Sequence, residues 1–295
     1  MRATSPVVIK SRSSDIAPAL VAASIWWNLP GKPKKHKLHV WTYEPFDGAT
    51  SCRGWLPGGY IGAMPDVRVI PFLVSELRLT PDEQELLQRE WWPSYAHAIE
   101  HRDGIFLFDN GVGFGNAEIE STFAPRVTPI EDALAVHGIS LPDVTGVANC
   151  HLHFDHSGQN IRIPTGVPIF VQRAEWAKVH EPDYTVPEWI DAPGLTYEVL
   201  DGEIEVAPGL RLVPTPGHTA GHQSLVLDAA EGQVVLAGQA VQSRAEWEGA
   251  TEPSVSGASS ARDSGYPSSV ELLRSFDPIR VHFAHDPAIW ERPSS

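Results

Sequence analysis

Four ligand-capable side chains stand within six residues of one another in the string His151-Leu152-His153-Phe154-Asp155-His156-Ser157-Gly158. In an extended chain, residues two apart share a face, so His151 and His153 can converge on one ion. Imidazole nitrogen suits Zn²⁺, Fe²⁺ and similar cations. Asp155 and His156 lie on the turn beyond and face another way, where they can serve a second ion. A second cluster reads Thr215-Pro216-Gly217-His218-Thr219-Ala220-Gly221-His222. Its proline and two glycines fix a tight loop after a strand and so present a histidine with little conformational freedom. His218 is the expected donor, and His222 is expected to brace the loop by hydrogen bonding. The third element is His282-Phe283-Ala284-His285. Its two histidines are three apart and need not both point inward. His285, at the strand end, is the chosen donor, with a satisfied core histidine as the alternative for either.

The elements that must carry these loops follow from apolar patterning and from Gly and Pro punctuation. The apolar run at residues 144–150 predicts a buried strand leading straight into the histidine loop. Residues 37–43 read as a strand, and residues 60–75, interrupted by Pro65 and Pro71, as an irregular, lid-like segment. Thr80-Pro81-Asp82-Glu83 is a helix start, with Thr80 as N-cap and acids in the first turn. That helix carries Leu86 and Leu87 and reads on toward Trp91-Trp92. A strand at 104–109 ends in the turn Asp109-Asn110-Gly111, and a helix is expected at 129–137. Further on, 167–172 is a strand, 174–179 a short helix, 196–206 and 210–214 a strand pair, and 223–227 and 233–237 another. Residues 243–267 read as a long polar loop, 268–276 as a helix and 281–283 as the last strand. The mixture, without an internal repeat, indicates an α/β fold. Residues 37–295 form its single domain, preceded by an N-terminal extension at 1–36.

Taken together, His151-Leu152-His153-Phe154-Asp155-His156 resembles the HxHxDH signature of metallo-β-lactamase-fold hydrolases. The string TPGHTAGHQSL at 215–225 looks most like the N-acyl-homoserine lactonase branch, as does Phe170-Val171-Gln172-Arg173-Ala174-Glu175-Trp176. The resemblance runs over residues 37–290 and implies an αββα sandwich with metals at one edge of two facing sheets. It places His151, His153 and His218 on one metal and Asp155, His156 and His285 on the other. It implies Zn²⁺, one or two per chain, with Fe or Mn compatible. The implied reaction is hydrolysis of a small-molecule lactone or carboxylic ester by metal-bound hydroxide, which for that branch means quorum quenching. Asp155 would orient the nucleophile and pass a proton to the leaving alkoxide. Asp109, at the family's strand–Asp–turn, is taken as structural.

Two positions depart from the family pattern. A bridging carboxylate is expected in a Gly-Asp-Ala context, where this chain has Gly238-Gln239-Ala240. A Tyr that touches the substrate carbonyl in the lactonase branch corresponds to Gln242, whose amide could donate to an oxyanion instead. An amide at 239 leaves two dications one negative charge short, so the second ion should bind more weakly. These changes keep open a related hydrolase acting on a thioester, aryl ester, lactam or halogenated ring, and also a ligand-binding member without turnover.

Composition restricts the partners. Of 295 residues, 22 are Lys or Arg and 37 Asp or Glu, a net charge of −15 that repels both nucleic-acid backbones and anionic membranes. The apolar stretch at 16–27 is interrupted by Asp15 and Pro18 and is too short to span a bilayer. It is read as part of an extension packed on the domain or on a neighbouring subunit, and a homodimer is compatible with that. With only Cys52 and Cys150, the chain fits a reducing, cytoplasmic setting.

Overall fold

The computed structural model describes residues 67–250 and 266–293. The expected strand at 37–43 and the extension at 1–36 lie outside them.

The described strands divide in chain order between two sheets. The first comprises β1 (Arg68–Arg78), β2 (Trp91–His101), β3 (Gly104–Phe108), β4 (Arg126–Val127), β5 (Val144–Ala148), β6 (Pro168–Gln172) and β7 (Thr196–Leu200), in the order β4-β1-β2-β3-β5-β6-β7. The second comprises β8 (Ile204–Ala207), β9 (Leu210–Pro214), β10 (Gln223–Ala229), β11 (Gly232–Leu236), β12 (Arg280–His282) and β13 (Trp290–Glu291), in the order β13-β12-β11-β10-β9-β8. The helices are α1 (Pro81–Leu87), α2 (Ala117–Phe123), α3 (Ile130–Ala135), α4 (Phe154–Ser157), α5 (Arg173–Trp176), α6 (Pro187–Ile190), α7 (Arg244–Trp247) and α8 (Tyr266–Ser275).

Three apolar cores define the layers. Ile130, Ala133 and Leu134 of α3 pack on Ile70, Val74, Ala96 and Leu107, covering the outer face of the first sheet. Ile99, Phe106, Phe108 and Ala148 meet Leu210, Leu212, Leu225 and Leu236 between the sheets. Leu273 of α8 and Trp247 of α7 close over Val226, Val235 and Val281 on the far side. Helix, sheet, sheet and helix make an αββα sandwich, the layering that lets both sheets bury both faces. No helix among the described residues is long and apolar enough to cross a membrane.

Several local expectations are corrected. Of the expected irregular segment at 60–75, residues 60–66 lie outside the described ones, and residues 68–75 are strand, with a bulge between Leu73 and Ser75 and Pro71 paired with His97. Beyond β2, the neighbour of β1 is β4, which reaches only Ser75 and Glu76, so the missing N–H of Pro71 costs no ladder on that side. Helix α1 has the expected capping box, Thr80 with Glu83, but stops at Gln88, whose φ of 53° is left-handed. Trp91 and Trp92 therefore open β2, whose largely buried run masked its alternation. Residues 196–206 are two strands in different sheets, parted by the turn at Asp201-Gly202. The polar loop at 243–267 begins with α7, capped by Ser243, and residues 251–265 lie outside the described ones.

Candidate metal centre

Strands β3, β5 and β6 run parallel, and the histidine loop leaves the C-terminal end of central β5. Ligands gather at such strand ends because the loops there converge. The loop folds back at once: Asn110 N–H and the Asn149 side-chain amide both donate to the His156 carbonyl at 2.9 Å. The companion turn after β3 holds Asp109 at φ 63° and Gly111 at φ 78°. A Cβ on Gly111 would meet Val74 at 2.4 Å, so only glycine lets this turn approach β1.

His151, His153 and His218 come together. His151 Nε2 lies 2.9 Å from His153 Nδ1, and His218 Nε2 lies 3.1 Å from the same atom. Burial drives all three imidazoles toward the neutral form, His153 to about 4 and the others well below their ordinary value. Neutral ring nitrogens this close, facing one another, need a shared cation or proton between them. Nitrogens at the corners of a tetrahedral Zn²⁺ shell lie about 3.3 Å apart, so the donor set fits a metal.

Asp155, His156 and His285 form the neighbouring group, with their ligand atoms within 4.8 Å of one another. His156 Nδ1 hydrogen-bonds Asp109 Oδ2 at 3.0 Å, and His285 Nδ1 donates to the Pro93 carbonyl at 2.7 Å. Each contact turns the Nε2 atom of its ring inward. His285 Nε2 is buried without a hydrogen-bond partner among the described residues and stands 3.9 Å from Asp155 Oδ2, which suits it to share a cation with that carboxylate. Gln239 Oε1 stands 3.1 Å from His156 Nε2, which brings the amide oxygen to the edge of this group. Burial opposes charge on His156, but Asp155 and Asp109 outweigh it and raise its pKa to about 9.

His222 has no nitrogen left for a metal. Gln239 N–H donates to its Nε2 at 2.9 Å, and its Nδ1 is 2.8 Å from Thr215 Oγ1. The chain continues through Ser224 Oγ, which donates to the Ala237 carbonyl at 3.0 Å. The expected brace thus ties the 215–222 loop to the end of β11. His282 is buried away from both groups, edge-on to His97 at 5.3 Å. Gln242 is buried, its N–H donating to Glu246 at 2.8 Å.

A cavity of about 290 Å³ opens on His153, Asp155, His218 and Gln239. Its apolar wall is Leu77, Leu79, Trp92, Phe123 and Phe154, with Glu83, Asp183 and Tyr184 completing the lining. Gln242 is not part of that lining. The apolar wall was expected from residues 60–75 or the N-terminus; among the described residues it comes from the end of β1 and from β2, α2 and α4. Trp92 was not singled out in the sequence because ten tryptophans gave no reason to prefer one. Glu175, Tyr184 and the Asp109–His156 contact also escaped notice, since each depends on packing between distant segments.

The model of the metallo-beta-lactamase superfamily matches residues 89–293, well over half of the chain. The N-acyl homoserine lactonase AiiA of Bacillus thuringiensis subsp. kurstaki is 34% identical over 157 residues, 49% of this chain. The chain spans 62% of the length of that relative. The N-acyl homoserine lactonase AttM of Rhizobium johnstonii is 28% identical over 230 residues, 67% of this chain and 83% of its own. Among solved structures, B. thuringiensis N-acyl homoserine lactonase AiiA, in mutant form with N-decanoyl-L-homoserine at its active site, superposes with a TM-score of 0.60 at 26% identity, covering 77% of this chain and 95% of its own. On the fold, the arrangement of histidines and these matches, the chain belongs to the metallo-beta-lactamase superfamily.

Proposed function

We propose that the chain is a metal-dependent hydrolase that opens a lactone or cleaves a carboxylic ester. The observation that carries this reading is the convergence of three imidazoles from two loops, two of which, His153 and His218, open with Asp155 onto an apolar-walled cavity. A dication held there, Zn²⁺ or another divalent ion, supplies Lewis acidity toward a carbonyl and acidifies a water molecule. His151, His153 and His218 would hold the first ion, and Asp155, His156, His285 and the Gln239 carbonyl a weaker second one. Asp155 orients the attacking water and returns a proton to the leaving alkoxide. Gln242 was the expected oxyanion donor; of the two glutamines it is Gln239 that lines the cavity, and its side-chain NH₂ is the one assigned that role. Leu77, Leu79, Trp92, Phe123 and Phe154 receive the apolar part of the substrate. The curated lactonase relatives and the homologue holding N-decanoyl-L-homoserine at its active site support a lactone as that substrate.

Metal quantitation coupled to a panel of lactones, esters and thioesters tests the reading. Bound metal with lactone or ester turnover supports it; near-zero metal, with turnover unchanged by chelation, overturns it. Gln239 also motivates a second reading, a binder without turnover. Bound metal with a silent panel would favour that one.

A further inference from the structure

Glu175 is fully buried, and its carboxylate gathers donors from three separate segments. Oε1 accepts the Leu152 N–H at 2.8 Å and the Tyr184 hydroxyl. Oε2 accepts the Thr219 hydroxyl at 2.7 Å. Leu152 lies between His151 and His153. Thr219 lies between His218 and His222, as does Gly221. The Tyr184 ring packs 4.9 Å from the His153 ring. The second loop presses directly on this residue: a Cβ on Gly221 would come within 2.0 Å of the Glu175 backbone nitrogen.

All three of these partners are neutral. A buried carboxylate without a cation is costly unless its lone pairs are filled, and three donors fill most of the roughly four acceptor sites of a carboxylate. A glutamine keeps one acceptor oxygen in place of two, so either the fixed Leu152 N–H or the Thr219 hydroxyl loses its acceptor.

We propose that Glu175 is a positioning residue: it sets the distance between the 151–156 loop and the 218–222 loop, and thereby the geometry of the His151, His153 and His218 donor set. The proposal rests on the metal-centre reading above, and its test separates the two. Co²⁺ is titrated into metal-free full-length protein. The readouts are the dissociation constant of the first equivalent, the visible d–d spectrum of the Co²⁺-loaded protein, and the urea midpoint of the metal-free form. Glu175→Gln is expected to weaken the first equivalent by about 10- to 100-fold, as loss of a ligand-orienting contact does, and to shift the d–d bands. Thr219→Val removes one donor and is expected to act in the same direction by a few-fold. The double variant should bind no more weakly than Glu175→Gln alone, because both remove the same tie. A residue that merely supports folding would lower the urea midpoint and leave affinity and spectrum unchanged, and that outcome overturns the proposal. If Glu175→Gln does not fold, Thr219→Val decides alone: wild-type affinity and spectrum overturn the proposal. Failure of the wild-type protein to bind Co²⁺ would overturn the metal centre itself, and the role of Glu175 with it.

Discussion

Gln239 Oε1 and His156 Nε2 stand 3.1 Å apart, a neutral amide against a ring whose other nitrogen is held by Asp109. An amide oxygen can ligate, but it brings no charge to offset two neighbouring dications. Gln239→Asp restores that charge. The exchange is expected to raise the metal content of desalted protein from about one ion per chain toward two, with the second ion bound at least tenfold tighter. Elemental analysis checks this; equal metal content in both proteins would place the source of asymmetry elsewhere.

Asp109 acts on the same ring from behind. Its Oδ2 fixes His156 while Oδ1 accepts the Cys150 N–H at 2.7 Å, joining the β3 turn to the histidine loop. Asp109→Asn should weaken the second metal position by about 10- to 100-fold and spare the first. Stepwise metal titration resolves the two.

His218 and His222 are four residues apart, with opposite expected effects. His218→Ala removes a donor from the three-imidazole set, so the first ion should be lost while the fold persists. His222→Ala leaves all three donors but cuts the link from Gln239 to Thr215. It should cost about 1–3 kcal/mol of stability, read from urea unfolding of the metal-free protein.

Acid stability provides a test away from the metals. Burial lowers the His282 pKa to about 4 and the His97 pKa further below its ordinary value. A group depressed in the fold binds its proton first in the unfolded chain. Its contribution is therefore intact above about pH 6.5 and is lost as pH falls from there to about 4. Replacing His282 by Phe should reduce the stability lost between pH 7.5 and 5 by about 2 kcal/mol. Urea midpoints of both proteins at the two pH values give the difference.

The metal loops were legible in the sequence because their ligands are local: four donors in one hexapeptide and one histidine in a Pro- and Gly-fixed loop. His285 was chosen over His282 from its place at a strand end, and the contact with the Pro93 carbonyl gives the physical reason. Strands with one apolar face or clear turn residues, such as β3 and β10, were also legible. β2 was not, since its buried positions run together, and the stretch at 196–206 concealed a change of sheet. Residues whose importance lies in long-range contacts left no local mark. Glu175 and Leu152 are 23 residues apart, and Asp109 and His156 are 47 apart.

The turn at Asp201-Gly202 ends the first sheet and begins the second, and it also divides the donors. His151, His153, Asp155 and His156 precede it; His218, Gln239 and His285 follow it. Among the described residues, neither side of that turn supplies either proposed donor set whole. On those sets, a bound ion draws its ligands from both sides and acts as a rivet across their seam.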